Sequence, residues 1–234
     1  MGLLTTEHGK AAHRADFVLY AVAAAVLAFL LAVVAPYERR TEIVALALLG
    51  LAAWTLVEYV LHRFVLHGLQ PFRTWHAEHH RRPRALMGTP TILSAALISV
   101  LVFLPALALS DLWRASALTF GLLTGYLVYA IAHHATHHWR AGNAWTRQLK
   151  RTHALHHYRV GPPAWFGVTS PIWDIVFGTC GKPSNGRGRR SAVSAEAVRD
   201  AADVEAWENE GGASACRTAV RAHLVLAAPV GAAP

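Results

Sequence analysis

The sequence predicts an all-α integral membrane protein with four transmembrane helices in two hairpins and a cytosolic, histidine-rich helical cap. Three observations carry this prediction: four long charge-poor windows, short polar breaks within two pairs of windows, and histidine clusters near the window ends. The composition agrees, because 54% of the 234 residues are hydrophobic and 15% are charged, against about 25% charged in a typical soluble domain. A disordered chain or a coiled coil is excluded for most of the length.

Each charge-poor window is long enough to cross a bilayer as a helix. The windows cover residues 17–35, 43–61, 90–110 and 115–132. A hydrocarbon core of about 30 Å needs roughly 20 helical residues, which these lengths approach. The breaks at residues 36–40 and 111–114 are short and polar, so each pair of windows is expected to form an antiparallel hairpin.

The distribution of Lys and Arg predicts the orientation of the four spans. Nineteen basic residues lie in the N-terminal segment, the middle connection and the C-terminal part, whereas three lie in the two hairpin turns. Basic residues concentrate on the cytoplasmic side of membrane proteins, so the first set of segments is predicted to be cytoplasmic. The net charge of +8 is therefore explained by membrane topology, and no nucleic-acid partner is predicted.

Histidine is the unusual residue of this chain, because its 15 copies exceed the 14 acidic residues. Twelve of them form four clusters: His62-Arg-Phe-Val-Leu-His67, His76-Ala-Glu-His79-His80, His133-His134-Ala-Thr-His137-His138 and His153-Ala-Leu-His156-His157. Residues at i, i+3 and i+4 share one helix face, so the second and fourth clusters each present a comb of imidazoles. The remaining His8, His13 and His223 are isolated, and we assign them no role.

The first cluster has a different spacing from the others. His62 and His67 are five residues apart, which separates them by about 140° around an ideal α-helix. We therefore expect that they either serve two neighbouring metal ions or straddle the end of a helix.

All four clusters are predicted to lie on the cytoplasmic side, because each follows or precedes the basic end of a span. Neutral imidazole is the commonest metal ligand and suits iron, zinc and copper. Ten or more imidazoles exceed the needs of one four- to six-coordinate ion, so we predict two ions. Glu78 is the single carboxylate inside a cluster, which makes a carboxylate-rich di-iron bundle a poor match.

We predict four regions along the chain. They are a cytosolic N-terminus at 1–16, a transmembrane region with histidine clusters at 17–139, a cytosolic cap completing the metal site at 140–182, and a flexible tail at 183–234. The bias of 19 Arg over 3 Lys, with the high Ala content, is typical of a high-GC bacterial genome. The expected location is the bacterial inner membrane.

The four clusters and the segment FGVTSPIWDIVFGT at 166–179 resemble the fatty acid hydroxylase/sterol desaturase superfamily of integral membrane oxygenases. The resemblance covers roughly residues 43–179, and the six-residue first cluster is closest to the fatty acid 2-hydroxylase branch. It implies a di-metal centre that activates O2, with iron expected and zinc as the alternative. By position, the implied ligands are His62, His67, His76, His79, His80, His133, His137, His153, His156 and His157.

Tyr129 lies four residues before His133, as is common in this superfamily. This position favours the His133 and His137 register, with His134 and His138 as extra or alternative ligands. Two carboxylates, Glu58 and Asp174, are candidates to accept the N–H of a ligand imidazole. The alternatives are an ion pair of Glu58 with an arginine and a turn-capping role for Asp174.

The implied reaction is hydroxylation of a lipid acyl chain with O2, in which the metal centre itself performs the catalysis. Eukaryotic 2-hydroxylases of this type often carry a fused cytochrome b5 domain, and none is visible in this sequence. We therefore expect electrons from a separate donor that resembles cytochrome b5, ferredoxin or flavodoxin.

Several other functions are weighed against this one. Within the superfamily, the alternative is a sterol or carotenoid hydroxylase or desaturase. A histidine-rich membrane metal transporter or sensor would need polar residues deep in several spans, whereas Glu58 is the single charge in the four windows. Bis-histidine haem proteins and zinc hydrolases fit the clusters less well, because the former need lone histidines within spans and the latter an HExxH motif.

Overall fold

The computed structural model describes residues 7–158 and 162–181, and these residues form helices joined by short loops. The chain divides into two units, with the boundary between Trp139 and Arg140. The tail predicted at residues 183–234 lies outside the described residues, as does His223. The four regions expected from the sequence, including that tail, stay predictions.

The first unit contains four helices of membrane-spanning length, at Lys10–Val34, Tyr37–Leu66, Thr91–Leu109 and Leu112–His138. Three of them include a π-helical turn. Their segments are α1 (Lys10–Phe29) with a π turn at Leu30–Val34, α2 (Arg40–Val60) with a π turn at Leu61–Leu66, α4 (Thr91–Ile98) leading through a π turn at Ser99–Phe103 into α5 (Leu104–Leu109), and α6 (Leu112–His138). The short helix α3 (Phe72–Arg81) connects the second and third spans. The predicted all-α membrane fold is confirmed. The second and fourth helices extend beyond both ends of their charge-poor windows, the first begins before its window, and the third lies within its window.

The two hairpin turns meet at one end of the first unit. The guanidinium of Arg39 donates to both carboxylate oxygens of Asp111 at 3.1 and 2.8 Å. The same carboxylate accepts from the backbone N–H groups of Trp113 and Arg114, so it also caps α6. Because the turns lie together, the opposite ends of the four spans also lie together, and those ends carry the histidines.

The helices α2 and α6 form the most extensive contact in the first unit, and two glycines make it possible. An added Cβ on Gly121 of α6 would lie 1.9 Å from the Ala47 carbonyl oxygen of α2. Reciprocally, a Cβ on Gly50 would lie 2.3 Å from the carbonyl oxygen of Leu118. Small residues let helix backbones approach closely within membranes, and this pair of helices uses them in both directions.

Many large apolar side chains on the spans point outward. Examples are Val33, Leu48 and Leu101, which are each at least 60% exposed. In water such a surface would be a strong aggregation hazard, but it is the surface that a helix presents to lipid. The exposed residues therefore agree with a protein that is embedded in a bilayer.

The second unit contains α7 (Ala144–Tyr158) and α8 (Ile172–Val176) in its described part. Leu155 of α7 packs with Ala164 and Trp165 in a small apolar core. The loop between the helices is organised by Asp174, which is 0% exposed. Its carboxylate accepts hydrogen bonds from the backbone N–H groups of Phe166 at 2.9 Å and Gly167 at 2.8 Å and from the Thr179 hydroxyl at 2.7 Å.

Candidate metal centre

A π-helical turn places His62 and His67 on the same side of their helix. The backbone N–H of His67 donates to the His62 carbonyl at 3.2 Å, which closes an i to i+5 ring. The two imidazole centroids lie 5.3 Å apart as a result. The 140° separation expected from the sequence assumed ideal α-helical geometry, and the π turn removes it because one turn then contains an extra residue. The sequence left two arrangements open: service to two neighbouring ions, or a pair that straddles a helix end. In the structure both rings lie at the end of the span and on one side of the helix.

Four imidazoles converge into what we call the first histidine group: His62, His67, His76 and His80. One nitrogen from each lies within 4.8 Å of one nitrogen from each of the others. His62 and His67 come from the π turn at the end of α2, whereas His76 and His80 come from α3 at the i, i+4 spacing. His62 and His76 are both buried.

The nitrogen positions of the first histidine group suit a cation. The Nε2 atom of His76 lies 3.0 Å from Nε2 of His62 and 2.9 Å from Nε2 of His80. A single imidazole nitrogen offers one N–H or one lone pair, so it can make one directed hydrogen bond of this kind. Nitrogen ligands about 2.1 Å from one ion, at right angles to each other, are about 3 Å apart. The donor set and its spacing therefore fit a transition metal ion.

Three further imidazoles form the second histidine group: His79, His133 and His137. The Nε2 atoms of His79 and His133 lie 3.1 Å apart. The ring of His137 lies 4.9 Å from that of His79 between centroids, and one nitrogen from each of the three residues lies within 4.8 Å of the others. Tyr129, one turn before His133 on α6, stacks on its ring with an interplanar angle of 18°.

Burial keeps the imidazoles of His67 and of His76 and His79 in α3 neutral. It lowers the pKa of His67 and of His79 to about 4. It also lowers the pKa of His76 well below 6.5, with a further contribution from the neighbouring His62 and His80 rings. A neutral imidazole has the lone pair that a metal ion needs, so these residues are ready to bind a cation at neutral pH.

The second unit holds its own cluster of three imidazoles on α7. His153, His156 and His157 share one face, and the His153 and His157 centroids lie 4.5 Å apart. The Nδ1 atom of His156 lies 2.8 Å from the carbonyl oxygen of Ala164. Since a carbonyl only accepts, Nδ1 carries the proton, and Nε2 has the lone pair for a ligand.

Asp174 belongs to the loop that supplies this carbonyl. Its carboxylate accepts hydrogen bonds from two backbone N–H groups and one hydroxyl. Asp174 thus fixes the segment immediately after Ala164, whose carbonyl orients the His156 ring. Glu58, the other carboxylate singled out in the sequence, is 3% exposed on α2, one turn before His62.

His134 and His138 lie outside the two histidine groups of the first unit. Nδ1 of His134 lies 3.1 Å from Nε2 of His13 in α1, and His138 stacks on His134. His8 pairs with Asp16 at 2.9 Å in the same area. The expectation that His8 and His13 have no role stays a prediction, and the structure adds these contacts to it. Both residues precede the first charge-poor window, and the topology brings that segment to the histidine end of the first unit.

A cavity of about 150 Å³, here the inner cavity, lies beside the two histidine groups of the first unit. Its walls include His76 of the first group and His79 and His133 of the second. Apolar side chains such as Phe72 and Leu127 form much of the rest. An apolar cavity next to a cluster of metal-binding groups can hold a hydrocarbon and keep water away from it.

These features define a class: a helical integral membrane protein with clusters of histidines that could hold metal ions at one end of its spans. A family model described as fatty acid hydroxylase matches residues 47–179, which is more than half of the chain. The chain belongs to the fatty acid hydroxylase family, an oxidoreductase family, and the resemblance drawn from the four histidine clusters is confirmed.

Curated relatives and a solved structure agree with this assignment. The chain is 37% identical over 149 residues to dihydroceramide fatty acyl 2-hydroxylase FAH1 of Arabidopsis thaliana, covering 59% of this chain and 61% of that protein. It is 33% identical over 156 residues to the ceramide very long chain fatty acid hydroxylase scs7 of Schizosaccharomyces pombe, covering 62% of this chain and 44% of that protein. A solved structure titled full-length scs7p, with only the hydroxylase domain visible, superimposes with a TM-score of 0.62 at 28% identity, covering 74% of this chain and 67% of that chain. The chain thus matches less than two thirds of the length of these curated relatives.

Proposed function

We propose that this protein is a membrane-bound di-metal oxygenase that hydroxylates a lipid acyl chain, using O2 and electrons from a separate donor. The observation that carries the proposal is the pair of histidine groups beside an apolar cavity in a chain of the fatty acid hydroxylase family. The name of the FAH1 relative specifies a fatty acyl 2-hydroxylase and that of scs7 a very long chain fatty acid hydroxylase, which favours an acyl chain over a sterol or carotenoid substrate. The proposed donor resembles cytochrome b5, ferredoxin or flavodoxin.

Two metal ions, proposed to be iron, would be held by ten histidines. The first histidine group would bind one ion and the second group the other. We propose that His153, His156 and His157 of the second unit supply the remaining ligands, because their comb matches the spacing of the other ligand pairs. Bound iron would supply the activation of O2 that insertion of oxygen into a C–H bond requires.

The chain's own residues prepare and shape the site. Burial keeps His67, His76 and His79 unprotonated, so that protons do not compete with the ions. The Tyr129 ring fixes the plane of His133, and the Ala164 carbonyl fixes that of His156. For Glu58 we propose the same kind of role, accepting an imidazole N–H near His62.

The inner cavity positions the acyl chain and excludes water. Its apolar wall can bind methylene groups without directional contacts, and its histidine wall faces the carbon to be oxidised. The carbon exchanges one C–H bond for a C–OH bond, and the second oxygen atom of O2 leaves as water with two protons and two electrons. Because the reaction consumes these two electrons, the protein requires an electron donor.

Lipid analysis of an expressing host tests the proposal. Three strains are compared: one expresses the wild-type chain, one expresses the His79→Ala variant, and one lacks the protein. Each is grown in air and without oxygen, and its acyl chains are analysed by mass spectrometry. Hydroxylated acyl chains are expected in air with the wild type alone, and growth under ¹⁸O2 should place the label in the new hydroxyl group. Hydroxylated chains that persist with His79→Ala, or that arise without oxygen, would contradict the proposal.

The proposed orientation places the histidine end in the cytoplasm, and the proposed location is the bacterial inner membrane. The basic residues of the connecting segments support the orientation, and the Arg-rich composition supports a bacterial source. The named relatives are eukaryotic and give the bacterial location no support. Reporter fusions after Arg39 and after Arg82 test the orientation, and activity of a periplasmic reporter at Arg82 would contradict it.

A further inference from the structure

A second cavity of about 430 Å³, here the outer cavity, lies between the start of α1 and the end of α6. Apolar side chains form most of its wall, and two basic residues, Lys10 and Arg14, stand at its α1 side. The family match begins at residue 47, so nothing in that match assigns a role to these α1 residues.

The outer cavity adjoins the inner cavity. The two share wall residues, among them Phe17, Leu127 and the pair formed by His13 and His134. The nitrogens of that pair lie 3.1 Å apart. The two cavities therefore adjoin each other along these shared residues.

Lys10 and Arg14 have no recorded acidic partner within residues 7–158 and 162–181. Arg82 at the same end differs, because it pairs with Glu7 at 2.6 Å and Glu78 at 3.6 Å. The nearby carboxylate of Asp16 contacts His8 and Thr91, and it faces the inner cavity rather than the outer one. The positive charges of Lys10 and Arg14, beside an apolar cavity, are therefore available to bind an anion.

The chemistry of the outer cavity selects an amphiphile with an anionic head. A volume of 430 Å³ lies within the range of about 300–1,000 Å³ typical of sites that enclose one small ligand. It suits a single hydrocarbon chain better than a lipid with two chains. Carboxylates bind Lys and Arg through charge-assisted hydrogen bonds.

We propose that the outer cavity is an entry site for a free fatty acid. Its carboxylate binds Lys10 and Arg14, and its chain packs against Phe17, Ala21 and Ile131. The role as an entry site rests on the proposed hydroxylase function, whereas the binding itself does not. The residues that line both cavities, His13 and His134 among them, lie between this site and the inner cavity.

Equilibrium binding of labelled palmitate to the purified full chain in a neutral detergent tests the proposal. Hexadecanol is the uncharged probe of equal length. The wild type is expected to bind palmitate about tenfold more tightly than hexadecanol. The double variant Lys10→Gln/Arg14→Gln should lose this preference and keep its affinity for hexadecanol. The control Arg73→Gln, an exposed arginine outside both cavities, should retain the preference.

Further arms distinguish the occupants. Ala21→Trp should weaken binding of both probes, since it fills the cavity, and a diazirine-bearing fatty acid should label peptides of α1 and of the end of α6. A preference that survives Lys10→Gln/Arg14→Gln, or that is lost equally in Arg73→Gln, overturns the proposal. Displacement of palmitate by phosphatidylglycerol at equal concentration also overturns it, because the occupant is then a membrane phospholipid. Binding that persists in a chain without hydroxylase activity separates this inference from the proposed function.

Discussion

The backbone N–H of His67 donates to the carbonyl of His62, five residues earlier, and this bond brings two imidazoles onto one side of the membrane-facing helix. The bond belongs to a π-helical turn at the end of the second span. Such turns occur frequently at functional sites, because one extra residue re-aims the side chains that follow. In this protein the π turn brings to one side two imidazoles that an ideal α-helix would place about 140° apart.

The two histidine groups should bind metal separately. His62→Ala removes a buried member of the first group, and His79→Ala removes one from the second. Each variant should reduce the metal content from about two ions per chain to about one, and the double variant should reduce it to near zero. Elemental analysis of purified protein measures this. If either single variant loses all of its metal while remaining folded, the two groups act as one coupled site.

In the cluster that runs from His133 to His138, the metal ligand should be His137 rather than His138. His137 lies in the second histidine group, whereas His138 is exposed and stacks on His134. His137→Ala should lower metal content and hydroxylated lipid, and His138→Ala should change neither. The two neighbouring variants control for each other, so the opposite result would move the register by one residue.

Gly121→Ala should destabilise the contact between α2 and α6. Its Cβ would meet the backbone of Ala47 and Leu51, which cannot rotate away. Overpacking of this kind costs about 1–3 kcal/mol or more. Thermal unfolding in detergent should show a lowered midpoint, whereas Gly142→Ala, with open space around its Cβ, should leave it unchanged. Equal midpoints for the two variants would mean that the helices can move apart at little cost.

Asp174→Asn should destabilise the second unit. The carboxylate accepts three hydrogen bonds at 0% exposure, and an amide cannot accept at its NH2 group. Hydrogen bonds to a charged group contribute about 1.5–3 kcal/mol, so a fall of that size in the free energy of unfolding is expected. Proteolysis or hydrogen exchange of residues 162–181 measures it. Glu38→Gln, at an exposed glutamate, is the control, and similar exchange in both variants would refute a structural role for Asp174.

The ion pair between the hairpin turns should give stability that depends on pH. The Arg39 guanidinium holds the pKa of Asp111 at about 2, below its usual 3.8. A carboxyl whose pKa is depressed by folding contributes fully above its unfolded pKa and loses that contribution as pH falls through the folded pKa. Asp111→Asn keeps a capping side chain but removes the charge. Its midpoint should lie below that of the wild type at pH 7, and the difference should shrink between pH 4 and pH 2. A constant difference across this range would exclude the ion pair as its cause.

The four spans and the four histidine clusters were predictable because each is indicated by neighbouring residues in the sequence. Runs such as residues 17–35 approach the length that a bilayer requires, and combs such as His76, His79 and His80 follow helical spacing directly. The short turns around Arg39 and Asp111 also dictated which helix ends lie together. Each of these inferences needed only the periodicity of a helix and the thickness of a membrane.

The sequence by itself determined the four helices, the end of each helix that carries imidazoles and the family. Only the tertiary structure decided that His62 and His67 share one side, that His13 of the first span contacts His134 of the fourth span, and that Gly50 and Gly121 seat α2 against α6. The reason is physical. Helical periodicity and hydrophobicity are properties of neighbouring residues, whereas a π turn, a cross-helix contact and a cavity depend on how distant backbones pack.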